Sequence, residues 1–378
     1  MATILLYGNT IRSPWMRHEV PLEIVDPFLF VSRDGSALVM TSSLEAARIE
    51  RVLPGAELLT AEELGFHDLV EQGMSFDEAD RETTVRALRR WAIEDAVVPP
   101  DLPVAVADRL RGEGISIEVD GRIVSDRRRV KTPAELAGIR RAQRAAEAGM
   151  AVAEQLIRGA QRSGGRLHHD GEPLTAEKVR EAIRTACAAA GAPTPVDIIV
   201  SSTLSGGGHD PGFGPLPADV PIMVDVWPQD ERSGCWADMA RTFVAGQVTS
   251  AVAELRDAVR AALEAVRSAA RPGITGGALY DIAAEIIERA GHPTQRTRTP
   301  GQTLTRGFYF SLGHGVGLEV HEPPILGLAG REPLVAGDVV AIEPGIDGLQ
   351  DIGGVGFEDL LLITEDGSET LTNYAYDL

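Results

Sequence analysis

The chain has 378 residues, which exceeds the usual size of one domain and favours two. With 44% apolar and 24% charged residues, its composition is that of an ordinary globular protein. Its formal net charge of −20 argues against a nucleic-acid-binding protein, because a surface that binds phosphate backbones needs a basic stripe.

The sequence contains few features of secreted or membrane proteins. Two cysteines, Cys187 and Cys235, are too few for a disulfide framework and fit a reducing compartment. The first residues lack the basic flank and long apolar core of a signal peptide, and no uncharged apolar run reaches membrane-spanning length. We therefore expect a soluble, cytoplasmic protein with neither nucleic-acid nor membrane partners.

Residues 1–128 are predicted to form an α/β domain. Short apolar or β-branched runs bounded by turn residues predict strands. These runs are 27–31, 37–40, 103–106 and 115–119. A serine cap with a carboxylate in the first turn predicts a helix over 43–52. Short strands that alternate with amphipathic segments are typical of the α/β class.

A second domain is predicted over residues 129–378. Thr132, an N-cap before a proline, predicts a long Ala-rich helix over 134–157, and a second helix is predicted over 175–190. The order helix, Gly-rich turn, helix and Gly-x-Pro then recurs and ends at residue 293, and each copy precedes strands. Two similar α/β halves indicate a pseudo-symmetric domain with a site between them.

The first half carries two aspartates on apolar strands. Asp225 stands between Val224 and Val226, so it points to the opposite sheet face from these valines. An aspartate in such a strand is costly unless it is paired or bound to a metal. The chain then turns and returns as an antiparallel strand that contains Asp238, so the hairpin should bring the two aspartates together.

Glu343 and Glu358 repeat this arrangement in the second half. Glu343 ends one predicted strand and Glu358 begins the returning strand, with a Gly/Asp-rich loop between them. Four carboxylates crowded on inner strand faces would repel one another without cations among them. Together with His314, which lies among glycines, they are more than one metal needs and suit two cations that share a hydroxide.

At these residues the chain resembles the pita-bread metallohydrolases, a family that includes Xaa-Pro aminopeptidases, prolidases, methionine aminopeptidases and creatinase-like proteins. The resemblance extends from about residue 129 to the C-terminus and rests on an ordered set of Asp, Asp, His, Glu and Glu. The motifs are VDV at Asp225, ADMARTF at Asp238, GHGVG at His314, IEPG at Glu343 and FED at Glu358. The preceding domain resembles the N-terminal domain of creatinase and prolidase. The implied fold is α/β (α+β), with a creatinase-type N-terminal α/β domain followed by a pseudo-symmetric pita-bread catalytic domain.

The resemblance implies five metal ligands. Asp225 would chelate one ion, His314 and Glu343 would bind the other, and Asp238 and Glu358 would bridge both. Glu343 would also accept the proton of the attacking water. The implied cofactors are two divalent metal ions, with Mn favoured and with Co, Zn or Fe also suited to such an oxygen-rich site.

The resemblance also implies roles for residues that do not bind metal. His209, in the Gly-rich loop 206–211, and His321, seven residues after His314, would hydrogen-bond the substrate carbonyl and the tetrahedral intermediate. Thr242 would orient a bridging carboxylate. The implied partners are a small peptide substrate with proline at its second position and a second copy of the chain in a homodimer.

Two departures from the family pattern bear on the substrate. The two aspartates are thirteen residues apart, farther than in the family, so the hairpin loop 228–234 is longer and is expected to alter the pocket rim. Gly356 stands where proline-directed peptidases carry an arginine two residues before the last Glu. In prolidase-like enzymes this arginine suits the free carboxylate of a dipeptide. We therefore expect a poor dipeptidase unless Arg298 or Arg306 reaches the same point.

Three functions remain open on the sequence alone. The favoured one is a dinuclear-metal-dependent hydrolase of peptide bonds that precede proline, with a metal-bridging hydroxide as nucleophile. The alternative is a pita-bread hydrolase of a non-peptide small amide or amidine, similar to creatinase or ectoine hydrolase. A metal-free binding module is disfavoured, because all five ligands are present.

Overall fold

The structure, a computed structural model, describes residues 2–204 and 208–378. The chain divides into two units, Met1–Arg128 and Arg129–Leu378. Among the described residues, no helix combines the length and the apolarity that a membrane crossing requires.

The first unit is built on a six-stranded sheet of order β4-β3-β2-β1-β5-β6. Its strands are β1 (Ile4–Gly8), β2 (Phe28–Arg33), β3 (Ser36–Thr41), β4 (Glu57–Thr60), β5 (Asp95–Val98) and β6 (Ser116–Val119). Its helices are α1 (Pro14–Glu19), α2 (Ser43–Val52), α3 (Phe66–Glu71), α4 (Phe76–Arg90), α5 (Val104–Gly112) and α6 (Gly121–Arg129). The pairs β1–β5, β3–β4 and β5–β6 are parallel, and the others are antiparallel.

Both faces of this sheet are buried. Along β1, Leu5 belongs to one apolar core, whereas Ile4 and Leu6 belong to the other, because successive side chains of a strand point to opposite faces. A sheet covered on both faces requires strands that are apolar throughout rather than at alternate positions. The unit is therefore of the α/β class that its sequence pattern predicts.

One predicted strand of this unit is wrong. The segment 103–106 lies in α5, where Val106, Ala107 and Leu110 are buried. Their spacing is that of one helix face, which a window of four residues is too short to reveal. The other predicted strands overlap β2, β3 and β6, and the helix predicted over 43–52 is α2.

The second unit contains two pairs of long helices and several antiparallel sheets. Its helices are α7 (Pro133–Gly159), α8 (Ala176–Ala189), α9 (Ser250–Ala269) and α10 (Gly276–Arg289). Its strands in the first half are β7 (Gln161–Ser163), β8 (Arg166–His169), β9 (Glu172–Pro173), β10 (Ile199–Ser202), β11 (Pro221–Val226) and β12 (Met239–Val244). Those in the second half are β13 (Gly313–Gly315), β14 (Glu322–Leu326), β15 (Val339–Ile342), β16 (Gly345–Leu349), β17 (Gly353–Gly356), β18 (Asp359–Ile363) and β19 (Ser368–Thr370).

A threonine N-cap begins each of the four helices. Thr132 accepts a hydrogen bond from the backbone N–H of Glu135, whose carboxylate accepts one from the backbone N–H of Thr132, which completes a capping box. Thr175, Thr249 and Thr275 each accept one N–H of the first turn of α8, α9 and α10. The same local signal therefore starts both helices of both halves.

The strands of the second unit are sandwiched between the two helix pairs. One apolar core contains residues of α7 and α8, and the other contains residues of α9 and α10. Along β15, Val339 and Ala341 belong to the first core and Val340 and Ile342 to the second. The two halves thus bury opposite faces of shared strands, which agrees with the predicted internal repeat.

A buried ion pair connects the strands of the two halves. Arg241 of β12 and Asp359 of β18 are both fully buried and lie 2.9 Å apart. The Arg241 guanidinium also donates hydrogen bonds to the carbonyl oxygens of Glu358 and Ala375 at 2.8 and 2.9 Å, and Tyr376 donates its hydroxyl to Asp359. The pair thereby holds both strands and the C-terminal segment in one arrangement.

Replacing Arg241 by methionine should lower the free energy of unfolding by about 3–5 kcal/mol, because Asp359 would keep a buried charge without its main partner. Urea unfolding measures this change. The matched control is Arg140→Met, which removes the ion pair of Arg140 with Glu369 at 37% and 47% side-chain exposure. The control should change the free energy by at most about 1 kcal/mol. Equal effects in the two variants would contradict the role given to the buried pair.

Candidate metal centre

The hairpin of β11 and β12 brings Asp225 and Asp238 together. Its register pairs Asp225 with Ala240 and Val226 with Met239, so Asp238 lies immediately before the paired part of β12. Val226 is buried in the apolar core, whereas Asp225 faces the opposite side of the sheet, as strand alternation requires. The two carboxylates therefore meet on the face that the core does not use.

Glu343 and Glu358 lie at the matching end of β15 and β18. Ile342 pairs with Asp359, so Glu343 follows one strand at the point where Glu358 precedes the other. The backbone N–H of Glu358 donates to the carbonyl oxygen of Ala240 at 3.1 Å, which places this glutamate beside the aspartate hairpin. The connection predicted as a loop contains a further hairpin, β16–β17.

His314 enters the cluster from β13. Its Nε2 lies 3.5 Å from Oε1 of Glu343 and 3.8 Å from Oδ2 of Asp238. Its Nδ1 lies 3.1 Å from the carbonyl oxygen of Gly315, so Nδ1–H donates and the Nε2 lone pair faces the carboxylates. This is the tautomer that a metal-binding histidine requires, with its orientation fixed by a backbone acceptor.

Glycines on both sides of His314 are required by close backbone contacts. A Cβ atom at Gly313 would lie 2.0 Å from the carbonyl oxygen of Ala341, and one at Gly315 would lie 2.3 Å from that of Pro323. Neither contact could be relieved by a side-chain rotation, because both involve backbone atoms. The Gly-His-Gly motif therefore allows His314 to lie between two tightly packed neighbouring strands.

The ligand atoms of these residues form overlapping groups in which all atoms lie within 4.8 Å of one another. The groups are Asp225, Asp238 and Glu358; His314, Glu343 and Glu358; and Asp238, His314 and His321. Two buried oxygens of the cluster, Oδ1 of Asp225 and Oε1 of Glu358, have no hydrogen-bond partner among the described residues. Buried carboxylate oxygens without donors are costly unless a cation binds them. The residues present therefore fit divalent cations, which prefer carboxylate and imidazole ligands.

The shifted pKa values of the cluster also favour a bound cation. Burial raises the pKa of Asp225 to about 7 and that of Glu343 to about 8. Burial, and then the charges of the neighbouring carboxylates, raise the pKa of Asp238 and of Glu358 well above their ordinary values. Burial lowers the pKa of His314 to about 4, which keeps this imidazole neutral and able to bind a cation.

His209 and His321 lie beside the cluster and are exposed to the cavity. Burial and the nearby charge of His209 lower the pKa of His321, and the His321 ring lies 4.2 Å from that of His314. The residue that follows, Glu322, forms a buried ion pair with Lys131 at 2% and 3% side-chain exposure, which anchors this segment. Gly206 and Gly207 of the predicted loop before His209 lie outside the described residues.

Comparison with known proteins identifies the family. The model of metallopeptidase family M24 matches residues 137–365, more than half of the chain. The chain belongs to metallopeptidase family M24. The resemblance to the pita-bread metallohydrolases is thereby confirmed.

Curated relatives match the chain of this M24 protein over a shorter region. The Xaa-Pro dipeptidase of Pyrococcus furiosus is 39% identical over 144 residues, which cover 38% of this chain and 37% of the relative. The Xaa-Pro dipeptidase of Lactobacillus delbrueckii subsp. lactis is 33% identical over 42% of this chain and 39% of that relative. The match thus spans well under half the length of these relatives.

Solved structures match nearly the whole chain. The prolidase from Pyrococcus furiosus has a TM-score of 0.72 at 21% identity, covering 99% of this chain and 97% of that chain. The X-Pro aminopeptidase from Thermotoga maritima MSB8 has a TM-score of 0.78 at 20% identity, covering 100% of this chain and 98% of that chain. The predicted pita-bread fold, preceded by an α/β domain, is confirmed.

The cluster of candidate ligands in this M24 protein lies in a cavity of about 450 Å³. Apolar side chains that line it include Ile199, Met223, Phe310, Ile325 and Ile346. The carboxylates in its lining are Asp210, Asp225, Glu343, Asp347 and Glu358. None of the described lining residues is an arginine or a lysine, and Arg298 and Arg306 are not among them. Neither of these two arginines therefore lines the described cavity in place of the arginine that the family pattern predicts at position 356.

Thr242 contacts the backbone of Gly356, whereas it was expected to orient a bridging carboxylate. The Thr242 hydroxyl donates to the carbonyl oxygen of Gly356 and accepts from its N–H, both at 3.0 Å, so it holds the backbone of β17 instead of orienting a carboxylate directly. A Cβ atom at Gly356 would lie 2.9 Å from Cε of Met223. Met223 thus occupies the space that a side chain at position 356 would enter.

The long hairpin loop 228–234 does not line the cavity. Asp230 of this loop is buried and pairs with Arg141 of α7 at 2.8 Å, and it also accepts a hydrogen bond from the Ser233 hydroxyl at 2.7 Å. A Cβ atom at Gly138 of α7 would overlap Oγ of Ser233. The additional loop residues therefore pack on α7, away from the cavity whose rim they were expected to alter.

Sequence reasoning did not identify Asp347 and Tyr309, which both line the cavity. A pattern in the sequence could have identified Asp347. It follows Gly345 by two residues in the same strand, and residues two apart in a strand lie on the same face. Tyr309 had no such signal, because its position depends on the pairing of residue 307 with residue 347.

The raised carboxylate pKa values predict how the stability of the metal-free protein depends on pH. Each group has a higher pKa in the folded than in the unfolded state, so the folded state binds more protons between about pH 4 and pH 8. The contribution of these groups to the free energy of unfolding should therefore fall as the pH rises across this range.

Thermal unfolding of chelator-treated protein, compared with the double variant Asp225→Asn/Glu358→Gln, measures this contribution. The wild type should lose stability relative to the variant between pH 5 and pH 8, and added Mn²⁺ should remove the loss. A wild type that gains stability relative to the variant over this range would contradict the assignment.

Proposed function

We propose that this chain is a dinuclear-metal-dependent hydrolase that cleaves peptide bonds preceding proline. The observation that carries the proposal is the convergence of Asp225, Asp238, His314, Glu343 and Glu358, with unsatisfied buried oxygens, in a cavity that also contains two further histidines. The substrate class is supported by the relatives, which are named as Xaa-Pro dipeptidases. A homodimer is part of the proposal and is supported by the family resemblance alone.

We assign the five ligands to two ions. Asp225 would bind one ion, and His314 and Glu343 would bind the other. Asp238 and Glu358 would bridge both ions, which is supported by the group that they share with Asp225 and by a further group in which each lies with His314. The donor set of four carboxylates and one imidazole favours Mn, and Co, Zn or Fe also suit it.

The bound ions would polarise the scissile carbonyl and lower the pKa of a water molecule towards neutrality. Glu343 would accept the proton of the attacking water, because it lies in the cluster while its side chain still reaches the cavity. His209 and His321 would donate hydrogen bonds to the carbonyl oxygen as its negative charge develops. Neutral His314 would keep its Nδ1 proton on the backbone and would remain a ligand throughout.

A second candidate function is the hydrolysis of a non-peptide small amide or amidine. It is favoured by the absence of arginine and lysine from the described cavity lining, with Gly356 where a carboxylate-binding arginine was expected. A free dipeptide carboxylate would meet carboxylates and apolar side chains there. The choice between the two candidate functions therefore depends on whether the cavity binds a substrate with a free carboxylate.

Purified protein loaded with Mn²⁺ should hydrolyse Ala-Pro-Yaa peptides, bind two ions per chain and lose activity to a chelator. Asp238→Ala and Glu358→Ala should lose both ions, because each removes a bridge, whereas Asp225→Ala should retain more metal. Elemental analysis and titration calorimetry measure the stoichiometry. The control is Glu181→Ala, an exposed carboxylate on α8, which should bind two ions. A stoichiometry of one in the wild type would contradict the dinuclear proposal, and full activity in chelator would contradict a metal-dependent mechanism.

Changing His209 or His321 to alanine should lower kcat by about 10²–10³, as expected for the loss of one donor to a developing oxyanion. Metal content should stay at the wild-type level. This separates the two histidines from His314, although His321 lies close enough to the cluster to be a ligand. His169→Ala, an exposed histidine of β8 outside the cavity lining, is the control and should leave kcat unchanged. Metal loss in His321→Ala would instead make His321 a ligand.

A further inference from the structure

The β16–β17 hairpin forms a wall of the cavity that carries one charged side chain. Gly345, Gly354, Gly356 and Asp347 all line the cavity from this hairpin. Gly345 pairs with Gly356, and a Cβ atom at Gly354 would lie 2.6 Å from Oδ1 of Asp347. Among the described residues of this wall, Asp347 is thus the charged one, and the others are glycines, Ile346 and Val355.

The Asp347 carboxylate has little compensation within the described chain. Its Oδ2 accepts a hydrogen bond from the Tyr309 hydroxyl at 3.3 Å, which is long for such a contact. Its Oδ1 is buried against Gly354 and has no hydrogen-bond partner in the part of the chain that the structure describes. No arginine or lysine lies among the described residues that line the cavity. Asp347 itself is partly exposed and lines this cavity. A partly buried carboxylate without a cation is unfavourable unless a ligand supplies one.

The position of Asp347 along the chain limits where that ligand group would lie. Asp347 follows Glu343 by four positions, so their Cα atoms are at most about 14 Å apart, the reach of four extended residues. A group bound by Asp347 therefore lies within about four residues of the scissile bond of a peptide substrate. This is within the span of a di- to tetrapeptide or of a short amide.

We propose that Asp347, with the Tyr309 hydroxyl, forms a cation-binding subsite that selects substrates carrying an ammonium or guanidinium group. The inference rests on the proposed amide-bond hydrolysis at the neighbouring metal centre and specifies the class of substrate for it. The cation is either the α-ammonium of the peptide or a basic group beyond the scissile bond. Asp347 is a specificity-determining residue and takes no part in the cleavage step.

Three substrates separate these two sources. Ala-Pro-(2-aminoethyl)amide carries both cations, Ala-Pro-propylamide carries only the α-ammonium, and N-acetyl-Ala-Pro-propylamide carries neither. In Asp347→Asn, kcat/KM for the substrate whose cation is recognised should fall by about 10- to 100-fold, the value of a hydrogen bond to a charged group. The loss should come mainly from KM. The substrate without that cation should change less than threefold.

The pattern of losses decides the source. A loss confined to the aminoethylamide assigns the subsite to a basic group beyond the scissile bond. A loss shared by both substrates with a free α-ammonium, but absent from the acetylated one, assigns it to the α-ammonium. Both results support the subsite. An equal loss for all three substrates, or a change below threefold for all three, would overturn it.

Asp210→Asn is the matched control, because Asp210 also lines the cavity but accepts a hydrogen bond from the backbone N–H of Gly212 at 3.0 Å. This variant should leave the ratios of kcat/KM among the three substrates unchanged. If wild-type protein hydrolyses none of them, the proposed function fails, and titration calorimetry with the same compounds tests the subsite separately. Tighter binding of the recognised cation that is lost in Asp347→Asn supports the subsite. Equal affinities in both proteins would overturn it.

Discussion

Four carboxylates share one buried site, and their mutual repulsion is the constraint on which the second unit depends. Two unit charges 4 Å apart repel by about 4 kcal/mol at an effective dielectric constant of 20. Several such pairs would rival the whole stability of a domain, which is about 5–15 kcal/mol. The cluster can therefore exist only with bound protons or with cations, and the raised pKa values of Asp225 and Glu343 express this requirement. The fold must also hold the carboxylates against separation.

The fold meets that requirement with pairs of strands and a buried clamp. Each carboxylate pair lies at the end of a hairpin or strand pair, where register and not side-chain flexibility sets the spacing. Arg241 lies behind the cluster and binds the backbone carbonyl of Glu358 while it neutralises Asp359. The apolar cores of the two helix pairs cover opposite faces of β15 and β18. A positive charge placed one layer away from the cluster thus supports the strands without neutralising the ligands.

The candidate metal ligands and the proposed cation subsite lie in different parts of the same cavity. The cluster of candidate ligands and the two further histidines lie within the residues that the M24 family model matches. A different wall of the cavity is formed by the β16–β17 hairpin, where Gly356 lies beside Met223 and Asp347 beside Tyr309. A small number of wall residues can change the charge that the cavity accepts while the ligands remain the same. Substrate class is therefore best sought in the β16–β17 hairpin.

The sequence by itself determined features that depend on neighbours in the chain: the Thr132 cap, the alternation that turns Asp225 away from Val226, and the order of the five motifs that contain the candidate ligands. It misassigned α5, whose apolar face extends beyond the short run at 103–106. Only the tertiary structure decided that Thr242 holds Gly356, that loop 228–234 packs on α7, and that Asp347 enters the cavity without a cationic partner. Each of these depends on contacts between residues far apart in the chain, whose packing distances no local pattern encodes.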